Sequence, residues 1–317
     1  MSGTDGQQWI RKAGLYVLPQ GDQPGLDLSE LRFVFQVRAQ DTTTPNTAVI
    51  RVYNMSDKTA ERVRKEFTRV VVQAGYVNTS YGVIFDGTIC QTRMGRERNV
   101  DSYVDILAAD GDAPYNMAII NTTLAPGATN QQQLAAIDKS IQPFGSGLAT
   151  QNGLPGGVLP RGKVLFGGPL LELDNITRTA GYTWTFQNGK VVPIPLTGYL
   201  PNEVVVLSSQ TGLIGVPEVT QQGVQVVCLI NPKIRIGTRI QINNDLINRV
   251  NDRGPGILPS YANPFAGAYA MTTADGIYRV LVQEFEGDSR GNPWYARLTC
   301  LAVDPSAKPA ASVQRYP

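Results

Sequence analysis

Alternation of apolar and polar residues is the most frequent pattern along this chain. In residues 31–38 the apolar side chains Leu31, Phe33, Phe35 and Val37 recur at every second position. Because successive strand residues point to opposite faces of a sheet, this pattern predicts a strand with one buried face. Similar patterns predict strands at 48–53, 83–90, 102–108, 204–208, 224–230, 234–242, 277–286 and 294–303.

A short segment after Ser56 has the spacing of a helix instead. Ala60, Val63 and Phe67 form an apolar stripe, and Ser56 is suited to cap the first turn. The other face carries Arg62, Arg64 and Lys65. We interpret these cations as the solvated face of the helix, with a phosphate-binding role as the alternative.

The middle of the chain changes character. Thr129 and Gln132 have the spacing of a capping box and predict one helix. Pro169 and Gly181 predict the first and last turns of another. Between them, residues 143–162 are rich in Gly and Pro, which is typical of a long mobile loop or linker. The dipeptide 188–189, Asn-Gly, then predicts a β-hairpin.

Two hairpin-like segments have the same spacing between an opening glycine and a closing aspartate. Gly82 and Asp110 lie 28 residues apart, as do Gly276 and Asp304. Each segment follows two alternating strands, which are 33–38 and 50–54 in one half, and 224–230 and 240–243 in the other. Coincidence between two antiparallel hairpins is one interpretation, and an internal repeat is the one we favour.

These patterns predict a mainly β fold with an α+β part, in which two similar β-barrel or β-sandwich domains flank a smaller α+β module. The predicted parts are a first domain at 1–115, the module with its Gly/Pro-rich loop at 116–200, a second domain at 201–305 and a C-terminal tail at 306–317. A long insertion at 243–274 interrupts the second domain.

Composition excludes several kinds of chemistry. The chain has 28 Lys+Arg, 26 Asp+Glu and no histidine, so histidine-dependent triads, His-ligated zinc and a histidine pH switch are excluded. A net charge of +2 gives no general basic surface for nucleic acid. Hydrolysis by a pair of carboxylates remains open. The pairs considered are Glu172 with Asp174 and Asp110 with Asp112.

Three isolated cysteines indicate a reducing compartment. Cys90, Cys228 and Cys300 lie in strand-like segments without the spacing of a zinc site or a disulfide framework. We expect them to be small buried core residues. The first 20 residues lack the pattern of a signal peptide, and no apolar run has the length of a membrane span, so we expect no membrane anchor. No cofactor is predicted.

The C-terminal half resembles a known family. The segment Gly276-Ile-Tyr-Arg-Val-Leu-Val, the turn Gly287-Asp-Ser-Arg-Gly-Asn-Pro-Trp-Tyr and the segment Leu298-Thr-Cys are similar to the last tube-domain hairpin of bacteriophage baseplate central hub proteins. Residues 214–220 and 223–237 are similar to the second barrel of that family. The resemblance covers residues 165–304, and it reaches 30–110 only through the repeat.

This resemblance implies two tube-type barrels and a structural role without catalysis. Such hubs are homotrimers that join the six-fold tail tube to the three-fold central spike and contact other baseplate proteins. It also implies a location in the virion tail baseplate after assembly in the host cytoplasm, and DNA that passes through the lumen without tight binding. A duplicated unit suits this task, because three chains then present six similar units.

The residues of the resembling motifs receive structural roles. Gly287 and Gly291 are expected to supply positive φ angles in the turn, Asp288 to accept local backbone hydrogen bonds and Trp294 to anchor the next strand. The full motif set is Gly287, Asp288, Arg290, Gly291, Trp294, Asn231, Pro232 and Gly237.

Three alternatives belong to other classes. A tail-associated cell-wall hydrolase would use carboxylates, and a receptor- or glycan-binding tail protein would use aromatic platforms, for which the candidates are Trp9, Trp184 and Trp294. A nucleic-acid enzyme would use the small basic cluster Arg93, Arg96 and Arg98, which we expect to lie in a loop.

Overall fold

The computed structural model describes residues 8, 10–19, 24–77, 79–97, 100–149, 154, 156–201, 203–220, 223–242 and 276–302. In these residues the protein is mainly β, with a largely antiparallel sheet that curls into a half-barrel. The mainly β prediction is therefore confirmed. The predicted insertion at 243–274, the tail at 306–317, Trp9, Arg98 and Asp304 lie outside the described residues.

The first half of the sheet is formed by seven strands, with one helix between two of them. They are β1 (Arg11–Pro19), β2 (Leu26–Asp27), β3 (Phe33–Gln40), β4 (Asn46–Tyr53), α1 (Asp57–Lys65), β5 (Phe67–Tyr76), β6 (Tyr81–Glu97) and β7 (Asp101–Asp110). The alternation in β3 buries Phe33, Phe35 and Val37 on one face, as predicted. Ser56 caps α1 by accepting a hydrogen bond from the backbone N–H of Thr59 at 3.2 Å.

The middle module contains three helices and five short strands. They are α2 (Asp112–Met117), β8 (Ile120–Leu124), α3 (Asn130–Ile141), β9 (Gly147–Leu148), β10 (Lys163–Gly167), α4 (Pro169–Thr179), β11 (Tyr182–Gln187) and β12 (Lys190–Pro195). The predicted capping box of Thr129 and Gln132 is present. Asn188 and Gly189 have φ angles of 55° and 76°, as a tight hairpin turn between β11 and β12 requires.

The segment predicted as a long loop contains some regular structure. A 3₁₀ turn at Gln142–Phe144 and strand β9 lie in it, and Val158 forms a bridge with Thr129. Strand β9 pairs with β12, so this part of the segment is attached to the hairpin. Residues 150–153 and 155 lie outside the described residues.

The second half of the sheet adds six strands. They are β13 (Val205–Leu207), β14 (Leu213–Thr220), β15 (Gly223–Leu229), β16 (Arg239–Ile242), β17 (Ile277–Asp288) and β18 (Trp294–Ala302). In the described residues the two halves form one 13-stranded sheet in the order β14-β15-β18-β17-β3-β4-β7-β6-β5-β1-β2. Strand β16 lies beside the first residues of β17, and β13 lies beside β16.

One strand order occurs twice in this sheet. The series β3-β4-β7-β6-β5 in the first half corresponds to β14-β15-β18-β17-β16 in the second. An internal repeat is therefore present in the topology. Our pairing of its members was wrong by one strand, since β15 corresponds to β4 rather than to β3, and β16 corresponds to β5. All these strands alternate alike, so alternation alone does not distinguish them.

Buried apolar residues form two clusters. One cluster runs through both halves of the sheet, and it includes Phe35, Ile106 and Val280. The other belongs to the middle module and is built around Ile137 and Trp184. The division of the sheet into two barrel domains, with the boundaries given above, stays a prediction.

The cysteines differ in their environments. Cys228 and Cys300 are free and buried, as expected, whereas Cys90 is exposed. The prediction that Cys90 is buried is wrong. This residue is the extra residue of a β-bulge in β6, between Ile89 and Gln91. No helix in the described ranges is long and apolar enough to cross a membrane.

Candidate functional surface

The face of the sheet that points away from the core carries a set of paired charges. Three arginine–carboxylate pairs connect neighbouring strands there. They are Arg38–Glu284 between β3 and β17 at 3.2 Å, Arg51–Asp105 between β4 and β7 at 2.7 Å, and Arg297–Glu286 between β18 and β17 at 3.0 Å. We call this six-residue set the ion-pair ladder. Its three positive and three negative charges cancel.

The strand register produces the ladder. Arg38 lies directly across from Glu284, and Arg51 lies directly across from Asp105. Directly opposed side chains on one face are close enough for charged groups to pair. The hydrogen bond to Asp105 raises the pKa of Arg51 above its usual value. Partly exposed pairs stabilise a fold by only about 0–1 kcal/mol each, so their main effect is on surface potential.

The predicted turn after β17 is organised by Asp288. Its Oδ1 accepts the backbone N–H of Arg290 at 2.9 Å, and its Oδ2 lies 2.7 Å from Nη2 of Arg32. Burial, the largest single influence, opposes ionisation of this carboxyl, but the hydrogen bonds from Arg32 and from the backbone of Arg290 and Gly291, with the charge of Arg32, together lower the pKa of Asp288. The expected role of Asp288 as a local acceptor is confirmed. The ion pair with Arg32, 256 residues away, has no sequence signal.

The two turn glycines are needed for a different reason from the one predicted. Neither Gly287 nor Gly291 has a positive φ, so that expectation is wrong. A Cβ at Gly287 would instead overlap the ring of Phe35, and one at Gly291 would overlap the carboxylate of Asp288. Trp294 is 1% exposed and packs edge-on against Phe35 at 5.7 Å, which agrees with its expected anchoring role.

The remaining motif residues lie in the segment between β15 and β16. Asn231 accepts the backbone N–H of Lys233 at 3.0 Å through Oδ1, and Pro232 lies against β6 at Gly82. Gly237 has a φ of 81°, and its N–H donates to the carbonyl of Val280 at 2.9 Å. The structure thus places the eight motif residues at the turn after β17 and in two consecutive turns, at 231–234 and 235–238.

A buried arginine fastens the end of the middle module to the sheet. Nη1 of Arg279 donates to the carbonyls of Pro195, Leu196 and Gly198 at 2.6, 3.1 and 2.9 Å, and Nη2 pairs with Asp41. The side chains of Arg279 and Asp41 are only 4% and 8% exposed. Sequence reasoning missed this pair, because an arginine in an alternating strand is normally assigned to the solvated face.

Asp110 makes a second connection between sheet and module. It is 2% exposed, and Oδ1 accepts the backbone N–H of Gly189 at 2.9 Å. Burial raises the pKa of Asp110 to about 7, with the nearby charge of Asp86 adding to the effect. Arg69, the neighbouring cation, forms two hydrogen bonds with Asp86 instead. Asp110 therefore serves a contact between elements and does not pair with Asp112.

The carboxylates considered for hydrolysis are engaged separately. Glu172 lies 3.0 Å from Lys163, and Asp174 lies 2.7 Å from Arg178. In the described part of the chain, no group of three or more Cys, Asp and Glu side chains has the geometry of a metal site. Trp184 is buried like Trp294, so neither indole provides an exposed platform for a sugar.

The two basic clusters also have simple structural settings. On α1, Arg62 pairs with Glu66 and Lys65 with Glu61, one helical turn away in each case, which agrees with a solvated face. Arg93 and Arg96 lie on strand β6 and not in a loop, so that expectation is wrong for both.

Comparison with known proteins shows which solved structures have a similar fold. No protein-family model matches the chain, and no curated protein matches its sequence. Among solved structures, the 43 kDa tail protein of prophage MuSo2 from Shewanella oneidensis aligns with a TM-score of 0.55 and 8% identity, over 92% of this chain and 99% of that one. The tail protein from Neisseria meningitidis MC58 aligns with a TM-score of 0.53 and 10% identity, over 92% and 97%.

A third match is a chain of a protein complex. A chain of the Francisella PdpA–VgrG complex aligns with a TM-score of 0.51 and 8% identity, over 99% of this chain and 60% of that one. At such identities the similarity establishes a shared fold and leaves function to be argued from the surface.

Proposed function

We propose that this chain is a structural protein of a phage tail, and that it is the central hub of the baseplate. In this proposal it forms a homotrimer that joins the six-fold tail tube to the three-fold spike and contacts other baseplate proteins. Its place is the virion tail, after assembly in the host cytoplasm. The fold shared with two tail proteins, one of them from a prophage, and with a chain of a PdpA–VgrG complex supports the proposal.

The observation that carries the proposal is the repeated five-strand order. A chain with two similar units can meet a six-fold ring with three copies, because the two units then occupy quasi-equivalent places. On the opposite side the same trimer meets a three-fold partner with true symmetry. A single-unit protein would need six copies for the first task and would mismatch the second.

The ion-pair ladder supports a second part of the proposal, that the polar face of the sheet lines the passage for DNA. Each unpaired cation on such a face would bind a phosphate and release counterions, which strengthens binding and slows passage. In the ladder every arginine is matched by a carboxylate. DNA would therefore pass without being held.

The proposal is tested by assembly. The purified chain is mixed with the tail tube and spike proteins of the same virus, and the complex is viewed by electron cryomicroscopy. We expect three-fold order around a central pore, with tube and spike on opposite sides. Failure to co-assemble with either protein, or a ring without three-fold symmetry, would contradict the hub. Release of peptidoglycan fragments by the pure chain would favour the hydrolase instead.

A further inference from the structure

The two repeated units of the chain are joined by one strand pairing. Residues 282–288 of β17, in the second unit, pair antiparallel with residues 34–40 of β3, in the first. In this junction Phe285 lies across from Val37 on the core side, and Glu284 lies across from Arg38 on the polar side. Phe285 is 3% exposed, because β3 covers it.

The β-bulges show which residues of the first unit correspond to this junction. In β17 the bulge residue is Leu281, between Val280 and Val282; in β6 it is Cys90, between Ile89 and Gln91. Ile89 pairs with Ala108 of β7, as Val280 pairs with Cys300 of β18. Residues 91–97 of β6 therefore correspond to residues 282–288 of β17.

Residues 91–97 of β6 have a free edge at the place where the equivalent residues of β17 pair with β3. Pairing of β6 with β5 ends at Thr88, and beyond this residue β7 is the one strand beside β6 in the described ranges. Met94 occupies the place of Phe285, and its register partner Val104 is buried in the core. Met94 is nevertheless 49% exposed, so a core-side position lacks a neighbouring strand.

The strand equivalent to β3 also has a free edge. It is β14, the last strand of the sheet on the β15 side. Val219 of β14 pairs with Val224 of β15, as Val37 pairs with Ala48 of β4. Val219 thus occupies the place of Val37, and the residues that the structure describes leave one unused edge of each kind that forms the β3–β17 junction.

We propose that β14 of one copy pairs antiparallel with residues 91–97 of β6 of a second copy, as β3 pairs with β17 within each chain. The internal junction sets the register: Glu218 across from Gly95, Val219 across from Met94, and Thr220 across from Arg93. The shift in β14 between Ile214 and Glu218 confines the pairing to these three positions.

Charge and topology agree with this partner. On the polar side the proposed register places Glu218 diagonal to Arg93, where an acidic and a basic side chain can attract each other; the Arg38–Glu284 pair of the internal junction is instead directly opposed. The two edges differ, so the contact is head-to-tail and generates a ring or a filament rather than a two-fold dimer. The inference rests on the proposed homotrimer and names the edges that close it.

Disulfide trapping tests the register. In a Cys90→Ser background, chains with Thr220→Cys and chains with Arg93→Cys are prepared with tags of different size, mixed and oxidised. Directly opposed positions have Cβ atoms about 4.5–5.5 Å apart, close to the reach of a disulfide, so a heterodimer band is expected on a non-reducing gel. Mixing Thr220→Cys with Met94→Cys is the matched control. That link should be at least about tenfold weaker, because the two side chains then point to opposite faces.

A second variant measures the interface without a cross-link. Met94→Asp places a charge at a site that is exposed in the single chain but covered in the ring, so it should keep the circular dichroism spectrum and shift the oligomer to monomer. Val158→Asp, at an exposed position of the middle module, should leave the oligomer unchanged.

The outcomes separate the inference from the proposed function. If light scattering shows a trimer but the Thr220→Cys and Arg93→Cys chains form no disulfide, the edge pairing is overturned and the hub proposal stands. A chain that stays monomeric both alone and with the spike protein overturns both.

Discussion

A single buried carboxyl shows how local environment sets the behaviour of a residue in this protein. Asp110 accepts a backbone hydrogen bond from Gly189 at 2.9 Å, but among the described residues no cation pairs with it, because Arg69 is engaged by Asp86. Burial therefore dominates and raises the pKa of Asp110 to about 7. We therefore expect the contact between the sheet and the β11–β12 hairpin to depend on pH.

The sign of this dependence follows from proton binding. Between the ordinary Asp pKa of 3.8 and about 7, the folded chain holds the proton of Asp110 more tightly than the unfolded chain does. This group therefore stabilises the fold most at low pH, and its contribution falls by up to about 1.4 kcal/mol per pH unit as the pH rises through the window. Asp110→Asn should remove that slope from the free energy of unfolding, measured by urea titration at several pH values. Asp112→Asn is the control and should retain it; equal slopes in wild type and Asp110→Asn would contradict the assignment.

Gly287 gives a prediction about packing at the same scale. A methyl group there would overlap the ring of Phe35, which also packs against Trp294. Gly287→Ala should destabilise the fold by about 1–3 kcal/mol, measured by chemical unfolding. Gly156→Ala is the matched control, since a Cβ at Gly156 meets no atom within 4 Å. An unchanged midpoint for Gly287→Ala would show that the turn adjusts freely.

Among the elements, β17 is tied to the end of β12 by a buried polar contact. Arg279 of β17 holds three carbonyls of the segment that leaves the module, and it pairs with Asp41 just after β3. One side chain thus ties together the two repeated units and the module. Removing it would leave Asp41 and the carbonyls buried without their donor.

Two arginine variants on adjacent strands distinguish the structural role of Arg279 from that of an exposed ion pair. Arg279→Met should cost about 3–5 kcal/mol of unfolding free energy, because a buried pair is broken on one side. Arg297→Met on β18 breaks an exposed pair of the ladder and should cost about 1 kcal/mol or less. Thermal and urea unfolding of both variants provide the measurement. Equal losses would mean that Arg279 is not a structural tie.

For the whole molecule, charge balance on the polar face gives a prediction about DNA. The wild-type chain should bind duplex DNA weakly or not at all at physiological salt, as fluorescence anisotropy would measure. Glu284→Gln with Glu286→Gln leaves Arg38 and Arg297 without their carboxylates, so binding should tighten, with a salt slope steeper by about 2.

A matched pair tests whether position or net charge matters. Glu61→Gln with Glu66→Gln makes the same change of charge on α1, where Lys65 and Arg62 lose their partners. This control should bind DNA less tightly than the ladder variant. Submicromolar binding by the wild type would contradict a passage that does not hold DNA.

Local sequence patterns predicted most elements because they depend on neighbouring residues. Alternation predicted β3, the capping box predicted the start of α3, and Asn188-Gly189 predicted the hairpin turn. The surface was less predictable. The ladder and the Arg279–Asp41 pair join residues far apart in the chain, and Cys90 is exposed by a bulge that alternation does not reveal.

The chain's own sequence determined the alternation of β3, the caps of α1 and α3 and the Asn188-Gly189 turn, because each depends on periodicity or on the chemistry of adjacent residues. Tertiary structure decided which strands correspond, since the equal spacing of 28 residues misaligns the hairpins by three positions relative to their bulges. It also decided which charges meet and which edges stay open. Strand pairing brings distant segments together through backbone hydrogen bonds, which are the same for almost every residue type. The order of the strands is therefore visible only in the folded sheet.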